Sequence, residues 1–173
     1  RFFNSPKNFQ FVAGDGVHNI KILKDELVKI KLSMPPSTTN VFSLFGLKGT
    51  HINVGVNHFV ILYQNLSSEV VQKFGKKIRF HKSFSPHGIN VNFYKIINKN
   101  TIEVHTYEKG VEKYMASCAS GSIASCYDAF KKLLIRSPAT IINPGGKLFL
   151  EFNDDWENAW LTGPVNIISQ VQY

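Results

Sequence analysis

Cys118 is the residue in this sequence best placed to do chemistry. It lies in Met115-Ala-Ser-Cys-Ala-Ser-Gly-Ser122, just ahead of an apolar stripe at helical spacing formed by Ile123, Tyr127, Phe130 and Leu134. The spacing predicts a helix from about Ser120 to Ile135, with Ser117 or Ser120 as its cap and Lys131, Lys132 and Arg136 at its negative end. A thiol at a helix start faces orphan N–H groups and the positive dipole end, and both favour the thiolate and a bound anion. Small neighbours let a ligand approach the backbone, so a carboxylate could rest on the N–H groups while the thiolate attacks nearby. A cysteine that only caps a packed helix would show the same local sequence. Cys126 lies roughly 12 Å further along the axis; it cannot flank the same substrate atom and reads as packing.

Two cysteines without a second pair make neither a disulfide framework nor a zinc set, and a reducing, cytoplasmic setting is the default. His18, His51, His81, His87 and His105 are scattered without ligand spacing, so no metal is expected. Twenty Lys+Arg against twelve Asp+Glu leave +8, a field that suits nucleic acid, anionic membrane or small acidic metabolites. The lysines never run longer than two in a row, which argues against nucleic acid. No apolar stretch is long enough for a membrane-spanning helix. With 43% apolar and 18% charged residues, neither a disordered tail nor a coiled coil accounts for the chain.

The elements that must position Cys118 are mostly strands. Phe9 and Phe11, Ile20 and Ile22, then Val28, Ile30 and Leu32 alternate at period two, with turns at Gly14-Asp15-Gly16 and Lys24-Asp25-Glu26. Pro35-Pro36 stops the last of these, and Ser37-Thr38-Thr39-Asn40 reads as a linker, placing a boundary near residues 35–41. Further strands are expected at Ile52–Val54, Phe59–Tyr63, Asn90–Ile97 and Thr101–Tyr107, the last two a hairpin turned by Asn98-Lys99-Asn100. A short helix is expected over Ser67–Phe74, and strands at Lys147–Phe152 and Trp160–Leu161. The fold class is α+β: a mostly antiparallel sheet wrapped around a central helix.

Around Cys118 the residue order resembles a known family. Glu108-Lys109-Gly110-Val111-Glu112, followed by Ser117-Cys118-Ala119-Ser120-Gly121, is similar to the second cysteine motif of diaminopimelate epimerases, Glu-Arg-Gly-Val and then Cys-Gly-Thr-Gly. Val54-Gly55-Val56-Asn57-His58 stands where that family has Gly-Asn-Pro-His. Gly88-Ile89-Asn90-Val91-Asn92-Phe93 matches its Asn-Val-(Glu/Asn)-Phe strand. Pro144-Gly145-Gly146 and Leu161-Thr162-Gly163-Pro164 match its closing signatures, and Ala13-Gly14 and Met34-Pro35-Pro36 resemble the end of its first domain.

The resemblance implies two similar lobes, each a barrel-like sheet around a central helix, with the site between them. Residues 1–36 would be the last strands of a truncated N-terminal lobe and 37–173 the C-terminal lobe. It implies cofactor-independent epimerisation of diaminopimelate by two cysteines, a step in lysine and peptidoglycan precursor synthesis. Cys118 would be one base, with Asn90, Glu108, Lys109, Ala119 and Ser120 binding the amino-acid substrate and His58 and Glu108 biasing the thiol. The family's first cysteine motif, Cys-Gly-Asn-Gly, has no counterpart here. The chain is therefore expected to be a piece of a longer epimerase-like protein, inactive without its missing lobe, with exposed strands that invite a homodimer. Four departures fall on substrate-reading positions: Ala119-Ser120 for Gly-Thr, Lys109 for Arg, Tyr114-Met115 for Glu-Thr and Val56-Asn57 for Asn-Pro. They leave open a racemase with another amino-acid substrate, or a binding lobe without chemistry.

Overall fold

The computed structural model describes residues 7–13, 16–23 and 26–165. The turn residues Gly14, Asp15, Lys24 and Asp25, and with Gly14 the Ala13-Gly14 landmark, lie outside those described. Twelve strands and two α-helices are formed there: β1 Asn8–Ala13, β2 Gly16–Ile22, β3 Leu27–Lys31, β4 Ser37–Leu44, β5 Leu47–Asn53, β6 Asn57–Leu62, α1 Ser68–Arg79, β7 Asn90–Asn98, β8 Thr101–Glu108, β9 Lys113–Met115, α2 Ala119–Lys131, β10 Ala139–Asn143, β11 Gly146–Glu151 and β12 Trp160–Pro164. They make one sheet in the order β1-β2-β3-β12-β11-β10-β8-β7-β6-β5-β4, with β9 beside β8.

Only β6/β7 and β8/β10 pair parallel. Parallel neighbours need a crossover, and α1 supplies it between β6 and β7 while α2 supplies it between β8 and β10. The two helices lie against opposite faces of the same central strands. Val60, Tyr94 and Val104 pack with Ala124, Cys126 and Ala129 of α2, while Phe59, Val91, Phe93 and Tyr107 pack with Val71 and Ile78 of α1. Coverage on both faces explains why β6 and the first half of β7 are buried almost without a break.

α2 is enclosed on nearly all sides: Gly121 to Cys126, Asp128 and Ala129 are buried. Its small residues let the sheet close around it, which the expected stripe did not convey. Tyr127 and Phe130 meet Trp156 and Phe152 edge-on, each with ring centroids 5.2 Å apart. The helix ends at Lys131, short of Ile135, and Leu133 turns the chain at φ 59°.

Ser37-Thr38-Thr39-Asn40, expected as a linker, is the first half of β4. Its exposed polar residues face solvent because β4 is the outer strand of the sheet, paired on one side with β5. Near the other end, β3 pairs with β12 from Leu27↔Pro164 to Lys31↔Trp160, so the sheet runs unbroken past residue 36. The β7–β8 hairpin forms as expected, closing at Asn98↔Thr101. α1 extends the expected short helix to Arg79, with Ser67 capping Val70 at 3.3 Å.

Candidate active site

β8 divides its outer edge between two strands. Thr101 to Glu103 pair with β10, whereas Thr106 to Glu108 pair with β9. α2 runs back between the parallel strands β8 and β10, so its start, with Cys118, lies at the Glu108 end of β8.

Cys118 itself is the cap of α2, in place of Ser117 or Ser120. Its backbone is extended (φ −144°, ψ 112°), and its sulphur accepts the Gly121 N–H at 3.4 Å and lies 3.5 Å from Ser120 Oγ. These contacts lower the thiol pKa, as the sequence leads one to expect. Burial outweighs them, and the neighbouring Glu108 carboxylate adds to the rise; together they push Cys118 up to about 11. The expected thiolate is therefore a thiol at neutral pH. Cys126 is fully buried and its thiol is pushed still higher by burial alone.

Asn90 begins β7, and its Oδ1 accepts the Lys109 backbone N–H at 2.7 Å, tying β7 to the turn after β8. Lys109 enters the site through that N–H, while its side chain is exposed. Glu108 keeps one carboxylate oxygen, Oε2, buried and without a hydrogen-bond partner among the described residues. Ala119 and Ser120 line a 270 Å³ hollow that is otherwise mainly apolar, walled by Leu32, Met34, Val54, Val56 and Ile123. A larger hollow of 460 Å³ lies between β1, β2 and Trp160 and holds none of these groups.

One residue step deeper on the α2-facing side lies a row of buried polar groups, His58, Asn92 and Thr106. His58 Nδ1 is 2.7 Å from Asn92 Oδ1, and Asn92 Nδ2 donates to Thr106 Oγ1 at 2.7 Å. A Cβ on Gly121 would stand 2.0 Å from Asn92 Nδ2, so glycine is required where α2 passes over this row. Burial lowers the His58 pKa to about 4 against the opposing Asn92 bond, with a smaller push from His51. His58 is thus neutral, and any bias on the thiol comes from hydrogen bonding rather than positive charge. Thr106 carries no functional signal in the sequence, and Gly121 and Asn92 only a place in the cysteine and strand motifs. Their positions are far apart in the chain: the β7–β8 register sets Asn92 opposite Thr106, and the packing of α2 on the sheet adds Gly121.

Among the described residues no group of three or more His, Cys, Asp and Glu side chains is placed to hold a metal, and no helix is long and apolar enough to cross a membrane.

The family model for diaminopimelate epimerase matches residues 50–168. The diaminopimelate epimerase of Aquifex aeolicus (strain VF5) is 36% identical over 144 residues, covering 80% of this chain and 51% of that protein. The diaminopimelate epimerase of Hydrogenobaculum sp. (strain Y04AAS1) is 32% identical over 167 residues, covering 92% of this chain and 60% of that one. The chain thus spans between half and two thirds of the length of these relatives. Among solved structures, a hydroxyproline epimerase from Agrobacterium vitis superposes with a TM-score of 0.66 at 10% identity, over 92% of this chain and 57% of that one. A Bacillus anthracis phenazine biosynthesis protein of the PhzF family gives 0.63 at 9%, over 92% and 65%. At such identities these two show a shared fold.

Proposed function

The chain belongs to the diaminopimelate epimerase family, and we propose that it is the Cys118-bearing part of an enzyme that interconverts LL- and meso-diaminopimelate in the cytoplasm without a cofactor. What supports this reading most is the convergence at one helix start: Cys118 caps α2, Glu108 lies against its thiol and Asn90 braces the turn beside them.

An amino-acid α-carbon is a weak acid. Its proton leaves only where hydrogen-bond donors in a dry cleft hold the charge that develops. The N–H groups of Ala119 and Ser120 stand in the first turn of α2, where a helix has no carbonyls of its own to offer them. They would take the substrate α-carboxylate, while Asn90, Glu108 and Lys109 would read its remaining polar groups. Inversion needs an acid and a base on opposite faces. Cys118, held protonated, would give its proton to one face as an opposing thiolate removes the α-proton from the other. One C–H bond breaks and one forms, and the two sulphurs exchange charge states. The reverse reaction exchanges their roles.

Cys126 cannot be that second sulphur, because it is fully buried in the core around α2. The opposing thiol would come from the part of the protein that this chain does not span. On this reading residues 1–36 are the last strands of a first lobe and 37–173 form the second. The exposed side chains Phe11, Val12 and Val17 on β1 and β2 would be covered by that first lobe, or by a second copy of the chain.

A racemase with another amino-acid substrate is favoured by one observation. Val56, where the family has Asn, lines the apolar hollow beside Ala119 and Ser120. Proton NMR of LL-diaminopimelate in D₂O with the longest native form of the protein separates the readings. Loss of the α-proton signal that depends on Cys118 supports the epimerase. Exchange with other amino acids alone supports the racemase, and binding without exchange means a lobe that performs no chemistry.

A further inference from the structure

His58 has two ring nitrogens with different fates. Nδ1 faces Asn92 Oδ1 at 2.7 Å, while Nε2 is buried with no hydrogen-bond partner among the described residues. A neutral imidazole carries one proton. On Nε2 it would make an orphaned buried N–H donor, the rarer and costlier defect; on Nδ1 it leaves only an unused lone pair. The second choice also suits Asn92, whose Oδ1 can accept only if its Nδ2 points the other way, to Thr106 Oγ1 at 2.7 Å. Gly121, with no Cβ, leaves room for that Nδ2 under the first turn of α2.

We infer that Asn92, oriented by Thr106, is a positioning residue that fixes the proton of His58 on Nδ1 and leaves Nε2 as a hydrogen-bond acceptor. The chemical consequence rests on the reading of Cys118 given above; the tautomer does not. A bare imidazole nitrogen can take a hydrogen bond from a thiol or a substrate ammonium, and a protonated one would do neither. The opposite amide orientation would turn Nδ2 toward His58 and move the proton to Nε2, so the two arrangements are spectroscopically distinct.

Long-range ¹⁵N–¹H NMR of the imidazole nitrogens in the full chain tests the inference. In the wild type His58 should show a protonated Nδ1 and a bare Nε2. Thr106→Val, close in shape but unable to accept from the amide, should shift population toward the Nε2–H form, and Thr106→Ser should restore the wild-type spectrum. In the longest native form of the protein, Thr106→Val should also lower kcat for α-proton exchange on the order of 10-fold with little change in KM, and Thr106→Ser should recover it. A proton on Nε2 in the wild type, or an unchanged tautomer in a folded Thr106→Val protein, overturns the inference. Expected spectra without α-proton exchange in the wild type would instead overturn the proposed function and leave the tautomer assignment standing.

Discussion

Gly121 donates its backbone N–H to the Cys118 sulphur at 3.4 Å, so the thiol proposed to carry the chemistry also caps the helix behind it. The two roles separate on substitution. Cys118→Ser keeps an acceptor at the cap and should leave stability within about 0.5 kcal/mol, whereas Cys118→Ala should lose about 1 kcal/mol. Both should abolish α-proton exchange. Cys126→Ser should lower stability by about 1–3 kcal/mol through a poorly satisfied hydroxyl and leave exchange intact. Urea unfolding and exchange in D₂O read both quantities; loss of exchange in the Cys126 variant alone would show that the wrong thiol has been assigned.

The Cys118 thiol should titrate near 11, read from the pH dependence of iodoacetamide alkylation. Glu108→Gln removes a negative charge and should bring the midpoint down, speeding alkylation at pH 8. The native pKa stands above the ordinary thiol value of 9.0, so the unfolded chain releases its proton first. Cys118 therefore costs stability as pH rises from about 9 to 11 and costs none below that window. A wild-type midpoint under 8 would mean that the helix start dominates burial after all.

Those two predictions divide what the sequence revealed from what it hid. The β7–β8 hairpin was legible because Asn98-Lys99-Asn100 interrupts two alternating runs, a wholly local signal. The helix after Cys118 was legible from its apolar stripe, also a local signal, although its cap is Cys118 rather than Ser117 or Ser120. β4 was not, since Ser, Thr and Asn on an outer strand have the composition of a linker. The ionisation of Cys118 was misread because proximity to N–H groups is local, while burial and the approach of Glu108 depend on the closed sheet. His58, Asn92, Thr106 and Gly121 were beyond reach as a group, since strand register and the packing of α2 on the sheet place them together.

Acid should weaken the fold through His58. Its native pKa, lowered to about 4, lies below the unfolded value of 6.5. The unfolded state therefore binds the extra proton between those limits, and stability falls as pH drops through them. The loss amounts to about 3 kcal/mol when complete. His58→Gln, which carries no titrating group, should flatten that part of the stability–pH curve even if the variant is less stable throughout. An unchanged slope in the folded variant would assign the acid sensitivity to the carboxylates.

Gly75→Ala sets helix propensity against packing. Alanine inside a helix is favoured over glycine by about 1 kcal/mol, and Gly75 lies in the middle of α1. Its missing Cβ would meet Tyr107 Cβ at 2.5 Å and Cγ at 2.8 Å, atoms held by the β8 backbone. Tyr107 cannot swing aside, because its hydroxyl donates to the Glu112 carbonyl at 2.8 Å. Packing should win, with a net loss of about 1–2 kcal/mol in thermal unfolding. A stabilised variant would show that α1 shifts on the sheet more easily than its buried residues imply.

Asp128 should matter for what it leaves behind when removed. It lies on the enclosed side of α2 with 3% exposure and accepts the Tyr94 hydroxyl at 2.8 Å, while Lys132, one turn on, reaches the same carboxylate from the surface. Asp128→Asn keeps an oxygen for Tyr94 and loses only the pairing with the half-exposed Lys132. The cost should stay near 1 kcal/mol or below, because exposed partners are screened. Asp128→Ala leaves the Tyr94 hydroxyl buried without an acceptor and opens a void beside it, and should cost about 3 kcal/mol. The double variant Asp128→Ala with Tyr94→Phe removes donor and acceptor together, so it should recover part of that loss. If the double variant is less stable than the sum of the two single ones, the bond is not what holds α2 to β7.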